Sequence, residues 1–192
     1  MQNSESLGQG VQGIDADFVK LIVRFTDEVP VGSESLWAKP AGQGEDTFVL
    51  HNVSMFCALA PDDVVRVTRG GDSRLQITEV VSVANRCVAG LELSGVGGLS
   101  LRKPQQVAPS CEVLDHASVA FARRLEARGA HVEGPAGSLT TSWPLNMSAS
   151  QVRKRIAEAM RGHEDWMVAG VWSPDERADG FADFIDFGPG QG

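Results

Sequence analysis

The clearest period in the first half of the chain is two. From Phe18 to about Ala84, apolar residues come in short runs broken by turn formers, the pattern of β-strands. Leu21-Ile-Val-Arg-Phe25 stops at Asp27-Glu-Val-Pro30, and Ser35-Leu-Trp-Ala38 ends at Pro40. Thr47-Phe-Val-Leu-His-Asn-Val53 alternates, with Phe48, Leu50 and Asn52 on one side. Val64-Val-Arg-Val67 follows the Pro61-Asp-Asp63 turn, and Arg69-Gly-Gly-Asp72 has the composition of a tight hairpin loop before Leu75–Val81. About five strands at this spacing predict a small, strongly bent antiparallel sheet or barrel over residues 18–84.

The second half changes period. Val88–Leu93 reads as a strand, and residues 95–110, with Gly97-Gly98 and Pro104, read as a long loop. A helix is expected from Asp115, with Ala117, Ala120, Phe121 and Leu125 on one face and Gly129 at its end. Ala130–Glu133 and Leu139–Leu145 read as strands joined by Gly134-Pro-Ala-Gly137. A second helix opens on Ser148-x-x-Gln151, a capping box, carries Val152, Ile156, Ala159 and Met160 as its apolar stripe, and ends at Gly162. Trp166–Trp172 closes the series as an apolar strand. Strand, helix, strand, strand, helix, strand is the split βαβ order of a ferredoxin-like domain. Its first strand is either Val88–Leu93 or Cys111–Leu114. The fold class is therefore α+β: a bent barrel-like domain over residues 18–84, then a ferredoxin-like domain over residues 85–173. Such domains serve many functions, so the fold assigns none.

Charge changes the picture mainly at the ends. The net charge is −8, but residues 1–19 hold three acids and no base, and residues 174–192 five acids and one base. The body between them is nearly neutral, and nucleic acid is disfavoured as a partner more by the absence of a recognition motif than by charge. Residues 1–17 read as a flexible arm. Gly8-Gln-Gly10-Val-Gln-Gly13 matches G-x-G-x-x-G literally, but no strand precedes it, so a dinucleotide loop is not expected. Residues 174–192 read as an acidic tail with Phe181, Phe184 and Phe187 as anchors; as a helix, Phe181, Phe184 and Ile185 would line one side. Such a segment docks on a partner, folds back on its own domain or stays disordered. No apolar run reaches the ~18 residues of a membrane helix, and no leader pattern opens the chain. Three scattered cysteines point to a reducing compartment, so a cytoplasmic location is expected.

Several segments resemble one family. Val23-Arg-Phe25, the Ser33-Glu-Ser-Leu-Trp-Ala38 box, Asn52-Val-Ser-Met-Phe56 and Asp62-Asp-Val-Val65 are similar to a bacterial family of domains of unknown function that carries an S-E-S-L-W-A box. The similarity continues more loosely through Leu125–Gly134 and spans residues 20–172. Where that family shows Ser-Gly-His-Ser/Thr after the fifth strand, this chain has Ser82-Val-Ala-Asn-Arg-Cys87. Chemistry built on that histidine is therefore not expected here. The resemblance implies architecture and no activity.

Candidate chemistry is sparse. No C-x-x-C or H-x-x-x-H pair offers metal-ligand spacing, and neither a metal nor a cofactor is expected. A small enzyme would draw on His51, His116 and Cys111, because a thiolate or acid–base pair needs a histidine in reach. A binding protein would use Glu34, Ser35 and Trp37 at a groove rim, since an indole and a carboxylate together select a ligand. It would also use a basic helix face built from Arg123, Arg124, Arg128, Arg153 and Arg155, or the tail anchors. The leading expectation is a non-catalytic accessory protein that binds a protein or peptide, in an immunity-like or pathway-accessory role. The alternatives are a small enzyme with an interdomain pocket and, third, a weak RNA binder.

Overall fold

The alternation of apolar and polar residues builds the first half as expected. The computed structural model describes residues 17–27, 29, 31–42, 46–94 and 111–187. Strands β1 (Val19–Arg24), β2 (Ser33–Pro40), β3 (Thr47–Leu50), β4 (Val64–Arg69) and β5 (Leu75–Ser82) pair in chain order, each antiparallel to the next. β5 then pairs with β1 in parallel, Leu21 opposite Leu75, and the sheet closes into a barrel. Register shifts between Val64 and Val65 and between Arg66 and Val67 bend β4 against β5, the local device that lets so short a sheet curl on itself. Every second residue points inward: Leu21 and Val23, Leu36 and Ala38, Phe48 and Leu50, Val65 and Val67 are buried in one core.

The second half is a four-stranded antiparallel sheet in the order β7-β8-β6-β9. Its strands are β6 (Val88–Leu93), β7 (His131–Glu133), β8 (Ser138–Ser142) and β9 (Trp166–Trp172), with helices α1 (Cys111–Glu126) and α2 (Ala149–Met160) between them. The elements run strand, helix, strand, strand, helix, strand, the order expected. β6 supplies its first strand, and Cys111–Leu114 form the first turn of α1 instead. The stripe on α1 also differs by one position from expectation. Ala120 is exposed, whereas Ser118 is buried, where its Oγ accepts a hydrogen bond from the Gly137 N–H at 2.8 Å. Phe121 stacks on Trp166 with ring centroids 4.6 Å apart. Phe121, Leu125, Val152, Ile156 and Trp143 fill the layer between helices and sheet. The Ser148–Gln151 capping box forms, and Gly129 and Gly162 take the positive φ that ends each helix.

Of the fates open to the acidic tail, residues 174–187 take the fold back onto their own domain. α3 (Pro174–Phe184) starts from a second capping box, Ser173 with Glu176, and folds back onto the barrel. Phe181 and Ile185 join the barrel core, Ile185 bridges to Phe25, and the Asp186 N–H donates to the Arg24 carbonyl at 3.0 Å. The apolar residues interleaved with the acids are what hold this segment down. The expected arm up to residue 16, the loop 95–110 and residues 188–192 lie outside the described residues.

Candidate functional site

The Glu-Ser-Leu-Trp box splits across its strand. Residues three apart on a strand face opposite sides, so Glu34 and Trp37 do not share one rim as the sequence reading supposed. Glu34 turns in beside Leu36 and Ala38. Its carboxylate accepts the Ser54 hydroxyl at 2.6 Å and the Met55 N–H at 3.1 Å. Ser54 Oγ in turn accepts the N–H groups of Phe56 and Cys57 at 3.2 and 3.1 Å. Burial pushes the Glu34 carboxyl up, the bonds from Ser54 and Met55 pull it back, and nearby Glu133 adds a smaller upward push. Glu34 is thus the anchor of the 54–57 segment. Ser35 is exposed on the other side of β2. Trp37 is half-buried there, with Lys20 Nζ 4.8 Å from its ring centroid and its backbone N–H donating to Asn52 Oδ1 at 2.7 Å.

The basic helix face is not a free stripe either. Arg124 donates to the Arg161 carbonyl at 3.0 Å, and Arg128 to the carbonyls of Arg124 and Glu158 at 2.8 and 3.3 Å. Arg155 donates to the Arg128 carbonyl. These guanidinium groups satisfy carbonyls at the C-terminal ends of α1 and α2, where cations complement the helix dipole. Arg153 sits apart and reaches the Val171 carbonyl of β9 at 3.4 Å. Arg123 is exposed.

His51 follows β3, and His116 lies on α1. Both are exposed, and His51 packs edge-on against Phe18 with centroids 4.7 Å apart. The Cys111 side chain lies outside the described residues. The tail anchors part company: Phe181 is buried, Phe187 is partly buried against the barrel core, and Phe184 is 43% exposed.

What the fold does assemble is a cavity of about 260 Å³ between the two halves. Its floor is the face of the second sheet turned away from α1 and α2, at Gly90, Thr140 and Trp172. One wall is the 55–58 segment that Glu34 anchors, and the cover is α3 at Gly180, Phe181 and Phe184. The Trp172 indole lies over Gly170, which has no side chain there. A methyl group on Gly170 would fall 2.4 Å from Trp172 Cζ2. Trp172 remains 37% exposed. Trp143 and Trp166, which the sequence placed on the same sheet, are instead buried under the helices.

Charge around the cavity is distributed unevenly. Arg177 is fully buried, and its guanidinium pairs with Asp63 while donating to the carbonyls of Ala58, Ala84 and Arg86 at 2.6, 3.2 and 2.9 Å. Glu176 accepts the Ser173 N–H at 2.7 Å, and its bonds from Ser173 hold its carboxyl below the usual range. Glu92 is half-buried and has no hydrogen-bond or ion-pair partner among the described residues. Cys57 lines the wall, but burial pushes its thiol up to about 12. Among the described residues no histidine lines the cavity, and no group of three or more metal-binding side chains occurs. No described helix is long and apolar enough to cross a membrane.

No family model matches the chain, and no curated protein does. Among solved structures it is similar to a hypothetical protein from Neisseria gonorrhoeae, with 12% sequence identity and a TM-score of 0.46. The alignment covers 82% of this chain and 93% of that one.

Proposed function

We propose that this protein is a non-catalytic binding protein whose partner, a protein or peptide, inserts one side chain into the cavity between barrel and sheet. The observation that carries this reading is the chemistry of the lining. Aromatic rings surround a side-chain-sized space whose described lining holds a thiol that burial keeps protonated and no histidine. General acid–base or thiol catalysis needs a histidine in reach of a carboxylate or thiol, and neither His51 nor His116 of the enzyme alternative lines this space. The strand order and the two helices favour a ferredoxin-like reading of residues 85–173, and the S-E-S-L-W-A box favours the bacterial family it resembles. Free, buried Cys57 and Cys87 fit a cytoplasmic setting.

The test is a fragment screen read by two-dimensional amide NMR on the full chain. Binding is expected to move the Trp172 indole N–H together with the amides of Gly90, Thr140 and Gly180. Ligands that shift only other surfaces, the basic helix face or the outer side of β2 included, would overturn the assignment of the cavity.

A further inference from the structure

The cavity has a size and a charge, and together they narrow what enters it. Its volume of about 260 Å³ lies just under the ~300–1,000 Å³ of pockets for drug-sized ligands and is several times the ~30 Å³ share of a water. A side chain or a small amine fits.

Three observations then bear on charge. Glu92 projects from β6 on the open face of the sheet, because Ala89 and Leu91 take the helix-covered side. Its carboxylate is unpartnered among the described residues. The one cation among the described lining residues, Arg177, is already satisfied by Asp63 and three backbone carbonyls, so it has no charge to offer a ligand. Glu176 adds a second carboxylate at the α3 side. An anionic ligand would meet two carboxylates and no available cation. A neutral ligand would cover Glu92 without pairing it, and burying an unpaired carboxylate is unfavourable. A cation removes that penalty. The rings of Trp172, Phe56, Phe181 and Phe184 line the same space, and aromatic faces attract ammonium and guanidinium groups, Trp most strongly.

From this we infer that the group bound in the cavity is an organic cation on an apolar stem, an alkylammonium or alkylguanidinium, with its charge toward Glu92 and its stem over the Trp172 indole. This rests on the cavity being the binding site. A lysine or arginine side chain of a peptide carries that chemistry, and so does a free amine.

The experiment compares n-butylammonium with n-butanol by NMR titration of the full-length protein, following the Trp172 indole N–H. Butylammonium is expected to bind at least about tenfold more tightly, the scale of one charge-assisted contact. Glu92→Gln keeps the side-chain shape and is expected to erase that ratio while leaving butanol binding unchanged. Trp172→Leu, followed through the Gly90 and Gly180 amides, is expected to weaken both ligands. N-acetyl-lysine methylamide against butylammonium identifies the source: the tighter of the two places the cation on a peptide or on a small molecule. Equal affinity for butanol and butylammonium, or a ratio that survives Glu92→Gln, overturns the cation and leaves the cavity as the site. Failure of both probes to shift Trp172, with fragments binding only elsewhere, removes the cavity as well.

Discussion

Arg177 of α3 and Asp63 of the β3–β4 turn form an ion pair with both side chains fully out of solvent. Around it, Arg177 holds the carbonyls of Ala58, Ala84 and Arg86, while Asp63 accepts the N–H groups of Ala60 and Ala84 at 2.8 Å each. One side chain of the last helix therefore ties together the barrel turn and the segment where the chain passes from barrel to sheet. The cover of the cavity is fixed at that point. Asp63→Asn leaves the guanidinium buried without a counter-charge, and a loss of ~3–5 kcal/mol is expected. Urea denaturation measures it. The pair Asp63→Asn with Arg177→Met should cost less than the sum of the single changes, and strict additivity would show that the two groups do not act on each other.

Gly170 is required by the indole above it. An added methyl 2.4 Å from Trp172 Cζ2 must lift the ring or shift β9, so Gly170→Ala should cost ~1–3 kcal/mol, the usual range for overpacking. It should also change the Trp172 environment, read as a shift of the indole N–H resonance. Gly71→Ala, in a turn where a Cβ meets nothing within 4 Å, serves as the comparison and should leave that resonance in place.

This pair of residues also marks where reading the sequence stops. The barrel was legible because its inward residues recur every second position, and the second half because helix stripes, a capping box and glycine stops alternate with apolar strands. Gly170-Val-Trp172 reads only as strand. Its meaning depends on Gly90 lying opposite Gly170 in the sheet, a neighbour that no local period reveals. Arg177 is similarly hidden, since one base among five acids reads as a solvated tail. The Glu-Ser-Leu-Trp box was visible, but strand alternation sent its carboxylate inward to hold the 54–57 wall and its indole to the outer side. The basic residues of the helices were visible too; their carbonyl partners become neighbours only after α1 and α2 pack.

Cys57 should behave as a core residue. With its thiol at about 12, only roughly one molecule in ten thousand carries the thiolate at pH 8, and the thiolate is the reactive form. Iodoacetamide at pH 8 is expected to leave Cys57 unmodified in the folded protein and to label it in urea, as read by peptide mass. Burial also raises Cys87, which should be protected likewise. Rapid labelling of Cys57 without denaturant would contradict the inert assignment.

Glu34 gives a pH dependence with a definite sign. Its folded-state pKa lies above the unfolded value, chiefly through burial, so the folded state holds this proton more firmly than the unfolded chain does. Its contribution favours folding below the ordinary carboxylate range and is lost as pH rises from the unfolded pKa through the raised folded one. Glutamine does not titrate, and its amide oxygen can still accept from Ser54 and Met55. The stability of Glu34→Gln relative to the parent should therefore improve as pH rises through that window and level off above it. The difference between the two proteins isolates this group from the other carboxylates. Urea midpoints of both, measured at intervals between about pH 4 and pH 8 across the carboxylate range, provide the check. A constant difference would mean that Glu34 titrates alike in both states, and a difference moving the other way would mean that Ser54 and Met55 outweigh burial in holding the carboxylate.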